Sequence, residues 1–370
     1  MLLVEKTDGN ADSACHGFFP HKNAPIENLL IAFSNQLAKE DIHCNFIFSK
    51  QPADWFHSAI TEHASYSVIP WPSSPFNCDK VARAAWRIKP QLITYWYVPL
   101  FSVCCQVTAR LPFIKKSIFF DRDSFSPPPK PTFKKLLVRL RSCAYLPPIK
   151  QIVSVSHFNR NRNIKSFFVP PSKNIVIHNG VYLEQAAPPD IKTPYFFYAG
   201  QIERFKGVHT LARAFSIFLE RHPDTEIELW LAGKGSADAE VRAEAEKSRR
   251  PEKFKLLGMR SDVPSLMAGS IANIVPSEWP EACASTALQA LASGRVPIVS
   301  DAGSLPELIE DCGLIFPRGD SDKLADALGR AVSENWNSVT TRGTERAHKL
   351  FSFERMVDDY VNLFVNSVKP

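Results

Sequence analysis

A chain of 370 residues is longer than one typical domain of about 150 residues, and predicts two or three, each able to bury its own core. Hydrophobic residues at 45% and charged residues at 22% are ordinary globular values, which excludes a mainly disordered, collagen-like or coiled-coil chain. The net charge of +6 is uneven: residues 1–190 carry +9 and residues 191–370 carry −3, so the two halves face different partners.

In chain order, MLLVEKTDGNADSACHGFFP lacks the apolar run behind a basic start that a secretory signal needs. IENLLIAFSNQLAKE reads as an amphipathic helix leading into the strand CNFIF. The most hydrophobic stretch, LITYWYVPLFSVCC, is broken by Pro99 and is too short to cross a bilayer as a helix, so no spanning segment is expected. Cysteines at 15, 44, 78, 104, 105, 143, 283 and 312 show no metal-ligand spacing, and reduced thiols in a cytoplasmic compartment are expected. LITYW, KSIFF, QIVSVS and NIVIHNG supply further strands, compatible with a parallel sheet. Between Arg110 and Lys165 lie 13 basic and only 2 acidic residues, a positive field suited to an anionic partner. SPPPKP around Pro128 reads as a loop. After it, KPTFKKLLVRLRS puts Phe133, Leu136, Leu137 and Leu140 on one helical face with Lys134, Lys135, Arg139 and Arg141 around it. Two readings stand: residues 130–141 meet an anionic membrane surface, making the protein peripheral at its inner face, or the helix packs on the core with its lysines in water. No nucleic-acid role is expected, because no aromatic platform interleaves the basic stretch.

EQAAPPDIKTP, with Pro188, Pro189 and Pro194, reads as a linker. Domains are therefore expected over 1–185 and 186–350, with a final helix over 351–370. Beyond residue 194, strands and helices alternate. YFFYAG, EIELWLAG, KFKLLG, IANIV, RVPIVS and CGLIF are the strands; GVHTLARAFSIFLERH, with Leu211, Phe215 and Phe218 at helical spacing, and the polar SADAEVRAEAEKSRR are helices. Such alternation demands parallel strands joined by right-handed crossovers, a Rossmann-like α/β domain. Open sheets of this kind bind ligands at the carboxyl ends of their strands.

The segment from Pro276 to Ile309, PSEWPEACASTALQALASGRVPIVSDAGSLPELI, carries the chemistry. Small residues Ala282, Cys283, Ala284 and Ser285 at a helix start let backbone amides approach a diphosphate. If residues 281–289 are all helical, Glu281 and Gln289 stand about 12 Å apart. This segment resembles the retaining nucleotide-sugar glycosyltransferases of family 4, which carry Glu, seven residues, then Glu. Glu281 takes the first position and Gln289 the second, a departure, while Pro276, Ser277, Trp279, Ala290, Ala292, Gly294, Pro297, Ser300, Gly303, Pro306 and Glu307 keep the register. YFFYAGQIERFKGVHTL resembles the family's Gly-Arg-Leu-x3-Lys-Gly through Gly200, Ile202, Lys206 and Gly207, with Gln201 where the arginine usually stands and Arg204 displaced by three. FFDRDSF places Asp121, Arg122 and Asp123 where many relatives keep a histidine, and Asn23 and Ala24 replace the family's Gly-Gly loop. SVSHFNR and VIHNGVYL match further signatures, Asn179 and Gly180 reading as turn formers.

The resemblance implies a GT-B fold: two Rossmann-like parallel-sheet domains facing across a cleft, the final FSFERMVDDYVNLF helix returning to the first. It implies transfer of a sugar, with retention, from a nucleoside diphosphate sugar to a glycan or lipid-linked acceptor, in cell-surface polysaccharide or lipopolysaccharide synthesis. Glu281 then orients the donor sugar, Lys206 and the helix start at 283–285 stabilise the diphosphate, Arg204 stands in for the missing cation, and Gln289 meets the ribose. Gly200 and Gln201 line the turn, Gly258, Met259 and Arg260 hold a base of unknown identity, and Asp121 is a catalytic candidate across the cleft. Asp-x-Asp at 121–123 also resembles the metal clamp of the GT-A fold, but the pattern of the second half favours GT-B, with no cofactor or metal required. A noncatalytic nucleotide-sugar-binding subunit and a sugar-nucleotide epimerase of the same fold are the alternatives.

Overall fold

The computed structural model describes residues 2–6, 25–48, 56, 59, 64–69, 78–96, 99–124, 131–183 and 186–368. The Asn23-Ala24 turn and the Pro128 loop lie outside the described residues. The chain divides into two compact units, one of Met1–His178 with Glu354–Pro370 and one of Asn179–Phe353.

The first unit is built on a seven-stranded sheet of strands β1 (Leu2–Lys6), β2 (Ile42–Phe48), β3 (Ala64–Val68), β4 (Leu92–Trp96), β5 (Lys116–Asp121), β6 (Gln151–Ser154) and β7 (Asn174–Val176), in the order β3-β2-β1-β4-β5-β6-β7. All pairs are parallel except those of β1, which runs antiparallel to both β2 and β4. Strand alternation divides the aromatics between two faces. Ile93, Tyr95 and Phe119 join Val81, Ala85 and Ile152 in one core. Trp96 and Phe120, one residue along, stack on each other with centroids 3.9 Å apart and receive Tyr360 of the final helix, Phe353–Val368, at 5.6 and 5.3 Å. Phe364 of that helix stacks on Phe33 at 5.5 Å. These aromatic contacts hold the final helix to the first unit, each burying a large apolar area.

The second unit carries a six-stranded, wholly parallel sheet of β8 (Tyr195–Ala199), β9 (Glu228–Ala232), β10 (Phe254–Gly258), β11 (Ala272–Val275), β12 (Val296–Ser300) and β13 (Leu314–Phe316), in the order β10-β9-β8-β11-β12-β13. The strands read as near-continuous apolar runs because helices cover both faces. Helix Val208–Arg221 buries Leu211, Phe215 and Phe218 against Phe196, Leu229, Leu231 and Leu324. On the other face, helix Ser285–Ala292 buries Ala287, Leu288 and Leu291 against Val299, Leu305 and Leu308. From β8 the chain winds outward through β9 and β10, then returns to place β11 on β8's other side, so the order reverses between β8 and β11. Ligands of open α/β sheets bind outside the strand ends at such a reversal.

The first and last segments of this unit lie side by side: the Val181 amide donates to the Phe351 carbonyl at 2.8 Å, and the Phe353 amide to the Val181 carbonyl at 3.0 Å. Gly180 permits this approach, since a Cβ there would meet the Ser352 carbonyl oxygen at 2.4 Å. No helix among the described residues is long and apolar enough to cross a membrane.

Candidate functional site

At the reversal, the ends of β8 and β11 open a cavity of about 300 Å³, lined by Tyr198 to Gln201, Lys206, Val275 to Ser277, Glu281 and Cys283 to Thr286. The loop after β8 is shaped by glycine. Gly207 has φ +71°, and a Cβ on it would meet the Pro276 carbonyl oxygen at 1.9 Å, so only glycine lets the two loops touch. The Glu278 and Trp279 amides complete that contact by donating to the Phe205 carbonyl at 3.0 and 3.1 Å. Lys206, one residue before Gly207, is thereby held beside the β11 loop.

Lys206 donates from Nζ to Glu281 Oε1 at 2.7 Å, the lysine side chain 28% exposed and the glutamate 8%. Ser277 Oγ donates to the same oxygen, also at 2.7 Å. Among the described residues Oε2 has no donor. The backbone of Glu281 is fixed as firmly as its side chain. The Ser304 amide donates to its carbonyl at 2.9 Å, and Gly303, at φ +63°, lies so close that a Cβ would sit 2.4 Å from the Glu281 nitrogen. Tyr198 donates its hydroxyl to the Gln201 carbonyl at 2.6 Å; burial, reinforced by Glu281 and Glu203, pushes this phenol well up, so it stays protonated.

The helix starts at Ser285, within the expected 283–285, with Ala284 at the cap position offering no side-chain acceptor, so the condition that residues 281–289 are all helical is not met. Glu281 is therefore a loop residue, held out of the helix by Ser277, Ser304 and Gly303. The small residues 283–286 form the cavity wall, and the helix presents its positive end there without a competing side chain. Gln289 lies in this helix, four residues after Ser285 and three after Thr286, and so continues their face; its side-chain amide has no partner among the described residues.

The structure brings Gly200, Gln201, Lys206, Glu281, Cys283, Ala284 and Ser285 together. Ala282 is buried behind them. Arg204, expected as a replacement phosphate cation, instead stands exposed and pairs with Glu240 at 2.9 Å, outside the cavity lining. Gly258, which ends β10 at φ +66°, and the exposed Met259 after it are likewise outside that lining, and Arg260 is held by Asp262 at 2.6 Å. Asp121, expected as a catalytic carboxylate, is instead committed. It is 5% exposed, Arg162 reaches both its oxygens at 2.6 Å, and Asn163 Nδ2 donates to Oδ2 at 2.7 Å. Arg122 beside it donates to the Tyr360 hydroxyl at 3.3 Å. Ser277 and Tyr198 are the site residues that motif reading did not assign a role; the Ser-x3-Glu spacing of Ser277 and Glu281 was the available signal. Among the described residues, no group of three or more His, Cys, Asp or Glu is placed to hold a metal ion.

Residues 193–334 match the family described as Glycosyl transferases group 1. O-antigen chain mannosyltransferase B of Escherichia coli is 25% identical over 232 residues, covering 58% of this chain and 60% of that protein. UDP-Gal:alpha-D-GlcNAc-diphosphoundecaprenol alpha-1,3-galactosyltransferase of E. coli is 25% identical over 223 residues, covering 55% and 57%. The chain thus spans about six-tenths of the length of the curated relatives it matches. Among solved structures, a glycosyltransferase from Rickettsia africae superposes with a TM-score of 0.78 at 16% identity, covering 96% of this chain and 98% of that one. Anabaena HepE in complex with UDP gives 0.76 at 17% identity, with 95% and 99% covered. The second unit therefore carries a Glycosyl transferases group 1 domain, and the fold is the GT-B type.

Proposed function

We propose that this chain is a cytoplasmic, retaining, metal-independent glycosyltransferase. It moves a hexosyl group from a nucleoside diphosphate sugar to a glycan or lipid-linked acceptor, in cell-surface polysaccharide or lipopolysaccharide synthesis. The observation that carries this reading is the pair of Lys206 and Glu281 at 2.7 Å in a cavity walled by the uncapped start of helix Ser285–Ala292. A diphosphate needs a cation and aligned amides, and a sugar hydroxyl needs a fixed acceptor. Lys206 and the amides of 284–286 serve the first, and Glu281 Oε2 the second. The names of the relatives, a mannosyltransferase and a galactosyltransferase, and the UDP held by HepE point the same way.

In the reaction the bond from the anomeric carbon to the diphosphate oxygen breaks while the acceptor oxygen bonds to the same face of the sugar. The acceptor's proton passes to the departing phosphate. Negative charge grows on that phosphate, and Lys206 and the helix amides, already in place, lower the barrier because they need no reorganisation. Gln289, farther along the same helix face, meets the ribose with an uncharged amide. Asp121 holds the loop after β5 through Arg162 rather than moving a proton.

The test is incubation of the full chain with labelled uridine, guanosine and adenosine diphosphate sugars. One donor is consumed, its anomeric configuration is retained in the product, and chelator leaves the rate unchanged. Failure to bind or turn over any donor refutes the reading. Epimerised donor without transfer replaces it with an isomerase, and activity abolished by chelator and restored by manganese removes the metal-independent part.

A further inference from the structure

Helix Thr132–Tyr145 is inside out. An amphipathic helix normally turns its apolar stripe to the core, but here Phe133, Leu136, Leu137 and Leu140, spaced as one stripe, are 67%, 55%, 49% and 59% exposed. The helix meets its own unit along the opposite face, through Val138, Ser142 and Tyr145. Ser142 is buried, with its hydroxyl donating to the Phe167 carbonyl at 2.6 Å, and the Tyr145 carbonyl accepts from Gln106 at 2.8 Å. At 3.6 residues per turn, Lys134 and Arg141 flank the stripe on one side and Lys135 and Arg139 on the other, with no acidic residue in the helix. Helix Val103–Thr108, tied to it through Gln106, leaves Val103 and Val107 exposed as well. Phe168 is also exposed although its φ is +53°, a conformation costly for a bulky residue.

We infer that helix Thr132–Tyr145 docks the first unit on an anionic lipid surface, its apolar stripe among the acyl chains and its four cations at headgroup level. Charge decides the occupant. A second copy of this chain, paired face to face, would set one cluster of four cations against another, whereas an anionic bilayer neutralises both flanks and accepts the stripe between them. The local field has little to oppose it: of the two acids between Arg110 and Lys165, Asp121 is neutralised by Arg162. The inference does not depend on sugar transfer, since a chain that bound no nucleotide would dock equally.

The experiment is sedimentation of the full chain with vesicles of phosphatidylcholine, alone or mixed with phosphatidylglycerol. Binding is expected to the mixed vesicles only and to be released by salt. Replacing Lys134, Lys135 and Arg139 by alanine lowers that binding about a hundredfold, each cation near the surface being worth about fivefold. Leu136→Ser with Leu137→Ser abolishes it; these positions are exposed, so folding, read by circular dichroism, is kept. Donor turnover in vesicle-free buffer stays at the wild-type rate in both variants, which separates failure of docking from failure of the transfer reading. Absence of binding to anionic vesicles, equal binding to neutral ones, variants that bind as the wild type does, or a dimer in sedimentation equilibrium that the serine pair dissolves, overturns the inference.

Discussion

Replacing Lys206 by methionine keeps the length of the side chain and removes one charge. Lys206 Nζ and Ser277 Oγ both lie 2.7 Å from Glu281 Oε1, and Glu281 is 8% exposed, so the variant leaves a nearly buried carboxylate with one donor instead of two. A hydrogen bond to a charged group contributes about 1.5–3 kcal/mol net, and because Lys206 is 28% exposed the lower half of that range applies. For a protein of this size that lowers the melting temperature by about 3–8 °C. Turnover falls further, by about a hundredfold to a thousandfold, since one preorganised donor to developing charge is gone. The two effects separate in the double variant Lys206→Met, Glu281→Gln. With no uncompensated carboxylate left, most of the melting temperature returns, while turnover stays at the level of the single variant or below. Donor consumption by steady-state kinetics and melting by calorimetry are the measurements. A single variant within about threefold of the wild-type kcat, or a double variant that regains turnover along with stability, would refute the assignment of Lys206 to the diphosphate.

Three further outcomes follow from the geometry. Asp121→Asn breaks a buried ion pair with Arg162 and should cost about 3–5 kcal/mol in urea unfolding; loss of activity with stability intact would instead make Asp121 a catalytic group. Gln289→Glu should tighten binding of a nucleoside diphosphate about fivefold by calorimetric titration, because a charged acceptor gains about 1 kcal/mol over a neutral one; unchanged or weaker binding would remove Gln289 from the ribose contact. Burial pushes the Cys104 thiol from 9.0 up to about 12, and the Tyr195 phenol from 10.0 up to about 12. The unfolded chain loses these protons first, so stability should fall as pH rises through the interval from 9 to 12, by about 1.4 kcal/mol per pH unit for each group in its own window. Urea midpoints that do not change between neutral and strongly alkaline buffer would contradict this.

The second unit was the more legible in the sequence, for a physical reason. Strands buried on both faces must be apolar throughout, and YFFYA, ANIV and VPIVS stand out between polar helices such as Asp238–Lys247. Strand β1, LLVEK, was not legible as a strand, because three apolar residues followed by Glu5 and Lys6 make too short a run, and its antiparallel direction is set by its pairing with distant β2 and β4. The short, half-exposed β3 gave too weak an alternation to be noticed. At the site, glycines and small residues marked the cavity wall and the helix start, but that Glu281 stands in a loop before the helix was not legible, since Gly303 and Ser304, more than twenty residues away, hold it there. The fate of Asp121 depended on Arg162, 41 positions later, and no local pattern announces such a partner. For helix Thr132–Tyr145, the stripe was legible but not the side it faces; the packing of Val138, Ser142 and Tyr145 against the unit is what turns it outward.

Every residue that walls the cavity between β8 and β11 belongs to one unit, Asn179–Phe353. The recognisable family segment, 193–334, falls inside that same unit. Under the proposed function, gripping an activated donor falls to one unit alone, so choosing what receives the sugar would be a separable task, open to change in the other unit without disturbing the grip. On that reading, chimaeras that exchange residues 1–178 between relatives while sparing the cavity are expected to keep their nucleotide and change their product.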